Sequence, residues 1–422
     1  LKEKKISQTW GADYFRGMIF RPHFASNYTL IISLFLIFIF QSCSLVFPVI
    51  APFDDLPQPT GPYSVLTRTT AWTDSTRDET FTPQADYRKI VVQVWFPTED
   101  KVEGSTTFYV DDPALRLPAL AKQLRLPVSL IHHFDRVKTN SYAGIQSSKF
   151  TPGFPIIIFS HGLSGMRFQN SSLMEELASQ GYVVFAADHS YEANITIFPD
   201  GNTAEYRAGT RRTLSEDYLE EIDLTQLSII VKDMSFMIDQ IEKGNSDPFL
   251  RDLPLNLEHI GAVGHSLGGA AIINLVAEDE RIDAAMALDT WYIPVPDSVL
   301  SSGIDKPLFH LGQKHWSDQN NYLRMDDLMS NSVGPLFKLH IPGTKHTDYT
   351  DMPLFSPFSY YIGYTGVTDP EWLNNLVRES TLKFFNSYLK DGDIQELKDL
   401  ILSEKAVSSY IFIPSTPAVP NN

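Results

Sequence analysis

Between residues 154 and 390 the sequence keeps alternating between two patterns. Mainly apolar runs of strand length, "FPIIIFSHG", "YVVFAADHS", "HIGAVGH", "IDAAMALDTW", "KPLFHLGQK" and "GPLFKLHIPGTKH", are separated by longer stretches with apolar residues at helical spacing, among them "NSSLMEELASQG", "LTQLSIIVKDMSFMIDQIEKG" and "EWLNNLVRESTLKFFNSYLKD". Continuous apolar runs belong to strands buried on both faces. Strands that alternate with amphipathic helices form a mostly parallel sheet with helices on both faces, so the fold class is α/β. Right-handed crossovers bring the carboxyl ends of such strands to one edge of the sheet, where ligand sites gather.

Around this unit the chain divides as follows. Residues 63–400 are expected to form one catalytic domain. Its early part includes "YRKIVVQVWFPTED", which alternates like a strand and stops at Pro97. Residues 111–141 form an insertion. Leucines there recur at helical spacing but prolines interrupt, which predicts short helices forming either a lid or lipid-facing wall, or an ordinary surface excursion. The proline-rich stretch "APFDDLPQPTGP" closes a linker over residues 43–62, and residues 401–422 read as a C-terminal tail.

Residues 1–42 have the layout of an export signal, with a start at Met18 as an alternative to Leu1. Arg21 precedes the apolar run "LIISLFLIFIF", and Ser42 and Cys43 follow. That order predicts a secreted or periplasmic chain, or a lipoprotein anchored through Cys43. An uncleaved membrane anchor and a buried core helix are the alternatives. Cys43 is the only cysteine, which excludes an intrachain disulfide and a cysteine metal site. There is no H-E-x-x-H pair and no EF-hand loop, so the expected chemistry needs no metal or other cofactor. A net charge of −17 argues against a nucleic-acid partner.

The candidate chemistry sits at the strand ends. In "HIGAVGHSLGGAAIINLVA" a G-x-S-x-G pattern lies where a strand hands over to a helix, which is the nucleophile-elbow arrangement. Ser266 then occupies a sharp turn with small neighbours, at a helix start whose free N–H groups face any oxygen that gains charge. A serine hydroxyl needs a base, and the expected chain order is serine, acid, histidine. Asp289 ends the next strand, whereas Asp283 precedes it and Asp297 lies beyond two prolines. For the base, His346 follows the last strand through "IPGTKH". His315, in a polar loop, is the alternative, and His310 and His340 fall within apolar strand patterns. The loop "FSHGLSG" offers the Leu163 N–H as a second oxyanion donor beside that of Leu267. His161 and His265 sit too close to their own turns to act as bases.

The segments "GPYSV", "FSHGLSGMR", "LASQGYVVFAADH", "GHSLGGA", "LDTW", "KPLF" and "GTKH", in order from about residue 61 to about residue 395, resemble the plasma-type platelet-activating-factor acetylhydrolases and their bacterial relatives. The resemblance implies an α/β-hydrolase fold and cofactor-free cleavage of short or oxidised sn-2 acyl esters of phospholipids, with a membrane surface as a further partner. It maps the nucleophile to Ser266, the acid to Asp289, the base to His346 and the oxyanion donors to Leu163 and Leu267. Two departures stand out. Leu267 replaces the family's aromatic residue after the nucleophile, and residues 111–141 are proline-rich where the family has membrane-contacting helices. The same scaffold serves dienelactone-hydrolase-like and polyester-cleaving esterases and serine peptidases, and a non-catalytic lipid-binding lipoprotein would keep the elbow only as structure.

Overall fold

A computed structural model describes residues 48–49, 51–144, 153–207, 226–404 and 408–412. The chain divides into two units, Leu1–Ile50 and Ala51–Asn422, and every feature below belongs to the second. The expected export signal and Cys43 lie outside the described residues.

The strands are β1 (Ser64–Asp78), β2 (Tyr87–Thr98), β3 (Ser141–Ala143), β4 (Phe154–Ser160), β5 (Val183–His189), β6 (Ile195–Ile197), β7 (Thr203–Glu205), β8 (Leu255–His265), β9 (Ala284–Leu288), β10 (Leu308–Gln313), β11 (Leu336–Ile341) and β12 (Ser408–Phe412). Numbering only the longer helices gives α1 (Pro113–Leu124), α2 (Ser171–Ser179), α3 (Leu227–Ile241), α4 (Leu267–Glu278), α5 (Asn320–Asn331), α6 (Pro370–Leu389) and α7 (Ile394–Ser403). All strands but β6 and β7 join one sheet in the order β12-β11-β10-β9-β8-β4-β5-β2-β1-β3. From β5 to β11 every neighbouring pair is parallel, and antiparallel pairs close the run at β2–β5 and β11–β12. This is the α/β-hydrolase arrangement.

Each buried strand serves two cores because successive side chains point to opposite faces. Ile156 and Ile158 of β4 pack with Met234 of α3 and Ile272 of α4 on one face. Ile157 and Phe159 pack with Leu177 of α2 and Phe385 of α6 on the other. The uninterrupted apolar run in the sequence is this two-sided burial.

The insertion is more continuous than its prolines suggest. Helix α1 runs through Pro118, which lacks the N–H for the usual backward bond. Burial of Arg116, Leu117, Leu120 and Ala121 holds the helix together. Arg116 is fully buried. Its guanidinium pairs with Asp111 at 2.8 Å, approaches Asp188 at the end of β5 at 3.5 Å, and donates to the Ile195 carbonyl. Arg167 completes the cluster through the same two carboxylates. Those two arginines hold the Asp111 carboxyl below the usual carboxylate range against the opposing effect of burial. Arg116→Ala leaves Asp111 and Asp188 with one buried cation instead of two. Loss of one partner from a buried ion cluster should cost about 3 kcal/mol, read from urea unfolding at pH 7.

Two segments expected to be peripheral are structured. Within the stretch read as a linker, Leu56 is buried, Asn140 donates to the Leu56 and Pro57 carbonyls, and Thr60 bonds Glu176 of α2. In the stretch read as a tail, α7 ends and β12 pairs with β11. Among the described residues no helix is long and apolar enough to cross a membrane.

Candidate active site

The site is built where β8 turns into α4. Ser266 has φ 57° and ψ −118°, a conformation that L side chains seldom adopt. The turn closes because nothing larger than hydrogen fits around it. A Cβ on Gly264 would lie 2.2 Å from the Gly268 carbonyl oxygen, and one on Gly268 would lie 2.2 Å from that of Ser160. The Ser266 N–H donates to the Leu288 carbonyl at 3.0 Å, tying the turn to the end of β9. Ser266 itself is nearly buried.

Asp289 follows β9 directly and is fully buried. Its carboxylate accepts from the Gln313 backbone N–H and side-chain amide, each at 2.9 Å, and from the Trp316 indole at 3.2 Å. A fourth donor is the Nδ1–H of His346 at 2.6 Å. On the other side of that ring, Nε2 accepts the Ser266 hydroxyl at 2.8 Å. The three side chains therefore form one hydrogen-bonded chain along the carboxyl edge of the sheet. Such a chain can move the serine proton onto the imidazole while the carboxylate fixes the tautomer and stabilises the resulting cation.

The two candidate oxyanion donors flank Ser266. Leu267 opens α4, so its N–H belongs to the unpaired first turn. The loop carrying Leu163 presses against the nucleophile, since a Cβ on Gly162 would come within 3.0 Å of the Ser266 Cβ. Neither N–H is taken up by another group among the described residues. The Ser164 N–H donates to the Glu192 carbonyl at 3.2 Å, and Gln123 of α1 bonds both the Ser164 carbonyl and its hydroxyl. The insertion thus abuts the oxyanion loop directly.

The other histidines fall elsewhere. His315 is exposed on the loop after β10. His310 is buried and bonds the Tyr292 hydroxyl, and His340 stacks on Tyr322 with burial pushing it down to about 4. His161 is buried. Its Nδ1–H donates to the Gly162 carbonyl, Nε2 accepts the His189 N–H, and burial lowers it to about 4. Asp283 caps the Ile260 N–H and Asp297 pairs with Arg324 at an exposed helix start. Gln313 and Trp316 went unnoticed in the sequence. The one available signal was that a buried carboxylate needs several N–H donors, and neither residue forms a motif with Asp289. No group of three or more His, Cys, Asp or Glu side chains among the described residues could hold a metal ion.

Comparison with known proteins shows the family of the chain and its fold. The model of the family "Platelet-activating factor acetylhydrolase, isoform II" matches residues 52–404. The platelet-activating factor acetylhydrolase of Cavia porcellus is 28% identical over 263 residues, 56% of this chain and 58% of that protein. That of Bos taurus is 29% identical over 265 residues, 57% and 59% respectively. A probable 1-alkyl-2-acetylglycerophosphocholine esterase of Arthroderma benhamiae is 25% identical over 322 residues, 71% of this chain and 76% of that one. The chain therefore spans less than two thirds of the length of the vertebrate relatives. Among solved structures, a ferulic acid esterase from Streptomyces cinnamoneus superposes with a TM-score of 0.69 at 23% identity, covering 84% of this chain and 99% of that one, a likeness of fold.

Proposed function

The chain belongs to the platelet-activating factor acetylhydrolase, isoform II, family, and from that premise we propose that it is a serine carboxylic-ester hydrolase acting on short or oxidised sn-2 acyl esters of phospholipids. The observation that carries the proposal is the unbroken path from the Ser266 hydroxyl through His346 to Asp289.

In the proposed reaction His346 Nε2 takes the Ser266 proton as Oγ bonds to the ester carbonyl carbon. The carbonyl oxygen gains the negative charge and accepts the Leu163 and Leu267 N–H groups. Fixed donors of this kind are worth about 3–4 kcal/mol each because they need no reorganisation. The intermediate collapses as the glycerol oxygen leaves with the proton from His346. Water, deprotonated by the same imidazole, then releases the acid and restores Ser266.

Residues 111–141 act as a fixed wall of the site rather than an opening lid. The buried Arg116 cluster and the contacts of Gln123 with Ser164 support this. So does the bond from the Tyr364 hydroxyl to the Leu124 carbonyl, which ties the end of α1 to the segment beyond His346.

A fluorophosphonate probe should label the parent chain at Ser266 and leave Ser266→Ala unlabelled. A panel of phosphocholine esters from acetyl to palmitoyl at sn-2 should be cleaved fastest at the short and oxidised members. Absence of labelling would end the hydrolase proposal. Faster turnover of simple aryl or polyester substrates than of any phospholipid would move the enzyme to another esterase class.

A further inference from the structure

One buried imidazole beside the nucleophile is not used by the chemistry above. His265 precedes Ser266 and is buried. Its Nε2 lies 3.1 Å from the His346 carbonyl oxygen, and its Nδ1 lies 3.1 Å from the Gln169 side-chain amide. A carbonyl oxygen only accepts, so the proton must be on Nε2. Nδ1 then keeps its lone pair and accepts the amide N–H of Gln169. Both ring nitrogens are satisfied by the neutral ring alone. Burial, and next the nearby His346, hold His265 well below the usual histidine range. Its ring lies against that of His346, with centroids 4.6 Å apart and planes 31° apart.

The loop that carries His346 follows β11. Asp348 accepts the Lys345 and Gly366 N–H groups and holds the loop two residues further on. Asp289 anchors the ring at Nδ1. Neither reaches the peptide that leaves His346, which opens the 3₁₀ turn His346–Tyr349. We propose that His265 is a positioning residue for the general base: its Nε2–H pins the His346 carbonyl, and its uncharged ring backs the imidazole that serves Ser266. Gln169 reinforces that tautomer by donating to Nδ1. Its own carbonyl accepts the Asp351 N–H, so it also ties the far end of the same loop. A neutral partner suits the step in which His346 gains a proton, because a second cation at that distance would oppose it.

The inference rests on the proposed ester hydrolysis, so the test separates the two. Cleavage of p-nitrophenyl acetate by the parent and its loss in Ser266→Ala test the hydrolase itself. Within an active parent, His265→Phe keeps the ring and loses the donor. It should lower kcat about 10- to 100-fold, the scale of a small misplacement at the reacting centre, with KM changed less than about twofold. His265→Gln returns an N–H near the Nε2 position and should recover about tenfold of that loss. Gln169→Leu removes the donor to His265 Nδ1 from outside the site and should lower kcat about three- to tenfold. This variant carries the test if His265→Phe does not fold. Parent kcat in His265→Phe, equal losses in the phenylalanine and glutamine variants, or parent kcat in Gln169→Leu would each overturn the assignment.

Discussion

Asp289→Asn should lower kcat by about 10⁴-fold with little change in the stability of the fold, the scale expected when the imidazole of a hydrolase is left in the wrong tautomer. The hydrogen-bond pattern around this residue explains why an isosteric change is so severe. All four groups that reach the carboxylate are donors: two from Gln313, one from Trp316 and one from His346. An asparagine offers one oxygen and one NH₂. If the NH₂ takes the Oδ1 place it faces the Gln313 backbone N–H and the indole. If it takes the Oδ2 place it faces the Gln313 amide and His346, and the imidazole relieves that clash by moving its proton from Nδ1 to Nε2. Nε2 then has no lone pair for the Ser266 hydroxyl. Fluorophosphonate labelling should slow in parallel with ester turnover, since both need the activated serine. A variant labelled and turning over at the parent rate would remove Asp289 from the mechanism.

What the sequence revealed and what it hid have physical causes. β4, β5 and β8 to β11 were legible because strands buried on both faces need unbroken apolar runs. Ser266, Asp289 and His346, the three side chains that meet, were legible because a nucleophile elbow, a strand-end acid and a later histidine follow one set order. β1 was not. Its sequence "SVLTRTTAWTDSTRD" holds five threonines and little apolar alternation, and its shape comes from a register of Ser64–Asp74 against Lys-, Val- and Trp-bearing β2. β12 is mostly exposed at the sheet edge and carries no burial pattern at all. The charge cluster of Arg116, Asp111, Arg167 and Asp188 joins segments up to 77 positions apart, between residues 111 and 188. In sequence its arginine looks like an ordinary surface residue of an amphipathic helix. Gln313, Trp316 and the partners of His265 were hidden for the same reason: they are set by folding, not by spacing.

Glu192→Gln should make the protein more stable at alkaline pH and leave it little changed near pH 4.5. Glu192 is buried, and neither carboxyl oxygen has a partner among the described residues. Burial pushes its carboxyl up to about 8, against the pull of Arg88 and with a smaller push from Asp233 and Glu79. The folded chain therefore carries it neutral where an unfolded chain carries it ionised. A folded state that binds the extra proton loses stability as pH rises. The contribution is whole below the unfolded value of 4.5, shrinks by about 1.4 kcal/mol per pH unit, and is gone above about pH 8. Over that span the loss has a ceiling of about 5 kcal/mol. Glutamine keeps the shape and never ionises, so urea unfolding at pH 5 and pH 8.5 should show the gap between variant and parent opening only at the higher value. Function follows the same switch, because the Glu192 carbonyl holds the Ser164 N–H and the Asn194 N–H holds the Gly165 carbonyl. A carboxylate forced to charge in that position draws in water and loosens the loop that presents the Leu163 N–H. The parent's kcat/KM should then fall above pH 8 while that of the variant persists, and a stability gap that stays constant with pH would show that Glu192 is ionised in the folded protein.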